Sequence, residues 1–118
     1  VSNALECERG SAEDCGANWM VCPSGLPEEL GEHMMIFKYL RPGSLIPAVS
    51  QDMEWAYFLY FNESGAGFYL AMRNEKFNDP ACAQRVKEGL MNSVDEVLEG
   101  DPHRSLVEYI ITNVMFPA

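Results

Sequence analysis

The chain has 118 residues, 47% of them hydrophobic, and sets 18 acids against 8 bases for a net charge of −10. That length and apolar content suit one domain with an ordinary core and argue against a disordered chain. The charge argues against nucleic acid, whose phosphates need Lys and Arg, and against an anionic membrane surface, and it favours a basic partner or simple solubility. The longest unbroken apolar run, Trp55 to Phe61, has seven residues, far fewer than the roughly 20 that a membrane-spanning helix needs.

The chain opens without Met. Ser2-Asn3-Ala4 has the look of a cloning remnant to be left out of fold reasoning. On that reading the domain runs over 5–118, and the usual reason for a start at Leu5 is a removed leader peptide.

Residues 5–26 are polar, contain Gly and carry Cys7, Cys15 and Cys22. They read as an irregular arm with too few apolar side chains to hold itself down. Cross-links would tie it to the domain, which suits an oxidising compartment. With Cys82 the cysteine count is four, which permits three pairings. One local bridge within 7–22 and one long bridge to Cys82 is the favoured arrangement. The long bridge would close a loop of 60 or more residues and stabilise by about 4 kcal/mol on the chain-entropy account. The C-x7-C-x6-C spacing lacks the close pair that structural zinc favours, so no metal is expected.

Leu26 to Leu40, LPEELGEHMMIFKYL, opens with a helix start at Pro27-Glu28-Glu29 and continues into an apolar run that is either helix or strand. Arg41-Pro42-Gly43 ends it, and residues 44–52, with Pro47, read as a connection. Trp, Tyr and Phe then dominate two apolar runs around NESGAG. This composition favours two antiparallel strands, about 54–61 and 67–73, joined by a turn. A helical reading of the same residues stays open, because periodicity does not settle short apolar runs. On a hairpin one alternate aromatic set faces the core, and the other is either covered by a second layer or free to meet a partner.

Asp79-Pro80 reads as an N-cap and first-turn proline. Val86, Leu90, Val94, Val97 and Leu98 fall on one face of the helix that follows, which should stop at a left-handed Gly100. Asp101-Pro102 should start a second helix with Leu106, Val107, Ile110, Ile111 and Val114 inward, ended by Phe116-Pro117. A connection of two or three residues predicts an antiparallel helical hairpin. The fold expected is therefore α+β: a small antiparallel sheet carrying a C-terminal αα-hairpin. A mainly helical four-helix bundle is the alternative.

Chemistry is sparse. GAG at 65–67 is neither a phosphate loop nor a dinucleotide fingerprint. Cys82, in the first turn of a helix, is placed to have a lowered thiol pKa, but its only candidate bases are His33 and His103. No cofactor is implied. The acids near the end of the first helix are harder to explain. Asp101 is a cap for the next helix, worth about 1 kcal/mol. Asp95, Glu96 and Glu99 sit where the helix dipole is already negative, each at a cost of a few tenths of a kcal/mol. Either Arg104 pairs with Glu99 or Asp101 and the next helix offsets the field, or Asp95, Glu96, Glu99 and Asp101 are kept as a contact surface for a basic protein.

From Cys82 onward, RVKEGLMNSVDEVLEGDP followed by SLVEYIITNVMFP resembles the periplasmic immunity proteins that neutralise type VI secretion amidase effectors. The resemblance covers about a third of the chain. Where that family closes with a Cys after the final proline, Ala118 stands here. The resemblance implies a mainly helical fold and a non-enzymatic inhibitor that plugs a toxin's active site. The function expected is thus an acidic, non-catalytic binding protein of the periplasm or the secreted fraction, most concretely a toxin-neutralising one. The alternatives are a small secreted hydrolase using Cys82 or a carboxylate pair, and a cytoplasmic immunity protein with reduced cysteines. Titration of the native protein with a thiol reagent is expected to find no reactive cysteine. A reactive Cys82 favours the hydrolase, and four reactive thiols favour the cytoplasmic protein.

Overall fold

The computed structural model describes residues 7–23 and 41–117. The segment Leu26–Leu40, including the helix start at Pro27 and His33, falls outside these, as do Ser2-Asn3-Ala4 and Ala118. Five strands are described: β1 (Glu8–Ala12), β2 (Ala17–Cys22), β3 (Ile46–Val49), β4 (Trp55–Phe61) and β5 (Gly67–Arg73). They form one antiparallel sheet in the order β1-β2-β5-β4-β3. A one-turn helix α1 (Asn74–Phe77), the long α2 (Pro80–Val97) and α3 (Arg104–Tyr109) follow, and α3 runs on as a π-helical stretch over Ile110–Met115. The fold is α+β, and the four-helix alternative is set aside.

The aromatic hairpin lies where its composition placed it. Asn62 builds the turn between β4 and β5: its side-chain oxygen accepts from the Ser64 N–H (3.0 Å), the Ser64 hydroxyl (2.7 Å) and the Ala66 N–H (3.0 Å). Strand alternation then sorts the side chains. Ala56, Phe58 and Tyr60 of β4 share a face with Phe68, Leu70 and Met72 of β5 and with Ala17, Trp19 and Val21 of β2. The helices pack on this face, and it carries the main core. Trp55, Tyr57, Phe61 and Tyr69 point to the other side, half-buried, with Leu59 fully buried among them.

Two expectations from the N-terminal half are corrected. Residues 7–23 are not an irregular arm. They include a β-hairpin whose second strand, β2, lies inside the sheet between β1 and β5. The apolar run Trp19-Met20-Val21, all buried, drives this. Its polar, Gly-containing partner β1 is an edge strand, and edge strands need no continuous apolar sequence. Nor are residues 44–52 wholly a connection, for Ile46–Val49 is the opposite edge. Pro47 is tolerated there because an edge strand leaves one side of its backbone unpaired.

The disulfides are Cys7–Cys22 and Cys15–Cys82, one local and one long. The first spans the β1–β2 pair beside Glu8 and Val21, which are opposite each other in register. The second ties the turn after β1 to the first turn of α2. That turn is capped by Asp79, whose carboxylate accepts from the Ala81 N–H (3.0 Å) and the Cys82 N–H (3.4 Å).

Helix α2 buries Cys82, Val86, Leu90, Ser93 and Val94, with Leu98 beyond its end and Val97 partly buried. Gly100 is left-handed, with φ of 82°, but α2 ends at Val97, three residues before it, and Gly100 lies in the turn that follows. The next helix departs from expectation in three ways. It begins at Arg104 rather than Pro102, six residues (98–103) separate it from α2, and Leu106 and Val114 are exposed. The first two follow from the turn at Asp101, whose carbonyl accepts the Arg104 N–H at 3.1 Å. The exposure of Val114 follows from the π stretch. Bonds from i to i+5, such as Phe116 N–H to the Ile111 carbonyl (3.1 Å), place Ile110 and Met115 on the buried side in place of Val114.

Trp19 sets the position of α2. Its indole lies against Gly10 of β1 and Gly89 of α2, and its Nε1–H donates to Ser93 Oγ at 3.1 Å, in the interior. A Cβ on Gly89 would stand 2.6 Å from Trp19 Cζ2. Gly89→Ala is therefore expected to destabilise by about 1–3 kcal/mol through overpacking, although Ala is the better helix former by about 1 kcal/mol. Urea unfolding of the two proteins checks this. A stabilised variant would mean that the indole is free to move aside.

Candidate functional site

The four acids singled out in the sequence are divided by the structure. Asp101 belongs to the turn: its carboxylate accepts the His103 N–H at 2.7 Å. His103 is the residue before α3, with its side chain exposed. Asp95, Glu96 and Glu99 are exposed on the outer side of α2 and just beyond its end. Arg104 takes neither Glu99 nor Asp101. It lies 3.5 Å from Glu108, one turn along its own helix. Among the described residues no Lys, Arg or His pairs with Asp95, Glu96 or Glu99.

Two further acids complete the surface. Glu8 of β1 meets Glu96, and Glu108 of α3 meets Asp95, carboxyl to carboxyl. The Glu8 carboxyl is pushed above its ordinary value of 4.5, first by partial loss of water, then by the hydrogen bond and the charge of Glu96, with Ser93 opposing. The Glu108 carboxyl is pushed up in the same way, by partial loss of water, then by the hydrogen bond and charge of Asp95, with Arg104 opposing. Such pairs share a proton in acid and repel when both are ionised. Sequence reasoning missed Glu8 because β1 was not recognised as a strand. It missed Glu108 because only the packing of α3 on α2 sets that residue opposite Asp95.

Beside these acids α3 leaves an apolar stripe uncovered. Leu106 is 46% exposed, Tyr109 59% and Val114 53%. Tyr109 and Val114 are five residues apart, the spacing that the π stretch places on one side. The surface thus has an apolar strip with one aromatic side chain and, one residue from it, a carboxyl pair.

The residues of the hydrolase alternative are placed differently. Cys82 sulfur is bonded to Cys15 and buried, so it offers no thiolate. His33 lies outside the described residues. Neither carboxyl pair lines the cleft of about 450 Å3 between α1, the start of α2 and the C-terminal end, where Phe77, Pro80, Lys87 and Phe116 stand. Nor does either line the cleft of about 150 Å3 formed by Met53, Glu54, Arg73 and Glu75. Among the described residues no three His, Cys, Asp or Glu side chains are grouped to hold a metal ion, and no helix is long and apolar enough to cross a membrane. No protein-family model, no curated protein and no solved structure matches the chain.

The carboxyl pairs have a sign that can be measured. With folded-state values raised above 4.5, the native protein holds these protons more tightly than the unfolded chain. The pairs therefore favour folding at low pH, and that contribution is lost as pH rises through the raised values. Glu96→Gln and Asp95→Asn each remove one charge of a pair. Each is expected to stabilise the protein at pH 7 by about 0.3 kcal/mol, a Tm rise of roughly 1–2 °C. The gain should shrink as pH falls and the Glu8 and Glu108 carboxyls take up protons. Calorimetry at pH 7 and pH 4 checks it, and a loss of stability at pH 7 would show that these acids serve the monomer.

Proposed function

We propose that this is a non-catalytic binding protein whose acidic α2–α3 surface receives a basic protein, and that the partner is a toxin whose activity it neutralises. One observation carries the reading. Asp95 and Glu96 stand against other carboxyls, on a surface where the monomer supplies neither with a guanidinium or ammonium partner among its described residues. Repulsion of this kind lowers monomer stability and is relieved when a cation enters between the charges. The stripe of Leu106, Tyr109 and Val114 adds what a protein interface needs beyond charge, an apolar centre with an aromatic side chain beside a polar rim.

Two disulfides fit an oxidising compartment, and the proposal assigns the protein to the periplasm or the secreted fraction. The resemblance of residues 82–117 to immunity proteins of type VI amidase effectors supplies the most concrete version of the partner, a secreted cell-wall hydrolase with a basic cleft. The sheet in this fold departs from the mainly helical form that the resemblance implies. The proposal therefore rests on the surface, with the family likeness in second place.

The test uses the product of the gene adjacent to this one. Co-expression should protect cells from it. Association should slow at least tenfold between 50 and 500 mM salt, as charge steering requires. Combining Asp95→Asn, Glu96→Gln and Glu99→Gln should slow association by about tenfold while changing dissociation less. A complex whose association rate ignores both salt and these substitutions overturns the reading.

A further inference from the structure

The loop between β3 and β4, Ser50–Glu54, holds a non-glycine residue in a conformation that glycine favours. Met53 has φ of 64°. Its backbone is anchored on both sides: its N–H donates to the Ser50 carbonyl at 2.9 Å, and its carbonyl accepts from Asn74 Nδ2 at 3.1 Å. Around it, Ser50 Oγ donates to Asp52 at 2.5 Å and accepts the Trp55 N–H at 3.0 Å. Asp52 also accepts the Glu54 N–H at 3.0 Å. The Ser50 N–H reaches the Trp55 carbonyl at 3.0 Å, and the Asn74 N–H the Glu54 carbonyl at 2.8 Å. A left-handed methionine is strained and persists only where its surroundings over-determine it, as they do here.

The side chain gives the monomer little in return. Met53 is 64% exposed, and Val49, four residues before it, is 50% exposed. Glycine at this position would meet every backbone demand without strain. A rigid loop, a strained backbone and an unspent apolar side chain together describe an element prepared for a surface outside the monomer, with its ordering cost already met on folding. Its flanks set the partner's chemistry. Arg73 is 3.3 Å from Glu54 and lies over the Trp55 ring at 4.6 Å, Glu75 lines the same small cleft, and Asp52 is the residue before Met53. The loop is therefore an apolar tip on a net-negative base.

We propose that the Ser50–Glu54 loop is a preformed insertion element whose Met53 side chain enters an apolar recess rimmed by Lys or Arg on a protein partner. This rests on the reading of the chain as a binding protein, but it uses a different part of the surface from the acids of α2.

Two measurements test it. Met53→Gly in the full chain is expected to leave Tm unchanged or raise it by about 2–5 °C. A fall in Tm means that the side chain serves the fold, and overturns the proposal. Second, p-benzoylphenylalanine is placed at position 53, or in a separate protein at position 99, and irradiated in soluble extract of the organism that encodes the chain. The expected result is a position-53 adduct that excess wild-type chain suppresses and excess Met53→Asp chain does not. Its attachment point, mapped by mass spectrometry, should be an apolar residue with Lys or Arg beside it. No suppressible adduct at 53, or equal suppression by Met53→Asp, overturns the proposal. Suppressible adducts from position 99 alone would leave the acidic-surface reading standing without the loop. Adducts from 53 alone would support the loop and remove the acidic surface. Adducts from neither position overturn both.

Discussion

The indole of Trp19 governs how the helical layer meets the sheet. It lies between two residues without side chains, Gly10 on the edge strand and Gly89 on α2, and its single polar atom is satisfied by Ser93. A bulky ring can sit between a strand and a helix only if both backbones come close to it, and the two glycines permit that approach. The hydrogen bond then fixes the rotation of α2 about its own axis, because a buried indole N–H without a partner would be costly. Translation along the axis is limited at the other end by the bridge from Cys15 to Cys82.

The acidic surface follows from that rotation. With Leu90 and Val94 turned inward, successive steps of about 100° carry Asp95 and Glu96 to the outer half of the helix, and Glu99 follows just beyond its end. Glu96 falls toward the side of Ser93 and the edge strand, where Glu8 waits. Asp95 falls toward the opposite side, where α3 brings Glu108. The two like-charged pairs are therefore consequences of the packing that positions the core. Negative charge placed in this way gives the molecule a face that repels itself and attracts cations. The loop at Met53 is built by different means, from hydrogen bonds between short polar side chains and the backbone. Both features keep a local strain at the surface while the interior is well satisfied. The described exception is Asn62, whose side-chain nitrogen is buried without a partner.

Much of the C-terminal half was legible along the chain because its signals are local. Asp79-Pro80 marks a helix start by capping chemistry confined to four residues, and Gly100 marks the turn that follows the helix by backbone conformation alone. Val86, Leu90, Val94 and Leu98 announce a buried stripe through spacing. The aromatic hairpin was legible through residue type and the turn formers between its strands. The N-terminal hairpin was not. Its inner strand carries only a short apolar run, and its outer strand reads as loop because an edge needs no apolar alternation. The second helix was legible in kind but not in register. A switch from i+4 to i+5 bonding moves Val114 outward and Met115 inward, and nothing in ITNVMF distinguishes the two spirals before packing chooses one.

The sequence by itself determined the capped start of α2, the net charge and the presence of four cysteines, since each depends on residue identity or on neighbours a few positions away, and it favoured the α+β class while leaving a helical alternative for the structure to close. Only the tertiary structure decided which cysteines meet, that Glu8 and Glu108 face Glu96 and Asp95, and that Met53 is held left-handed at the tip of a pinned loop. These depend on groups far apart in the chain, such as Glu8 and Glu96 or Met53 and Asn74. Their separation is set by how the layers pack, and distance in space is not encoded in any single stretch of residues.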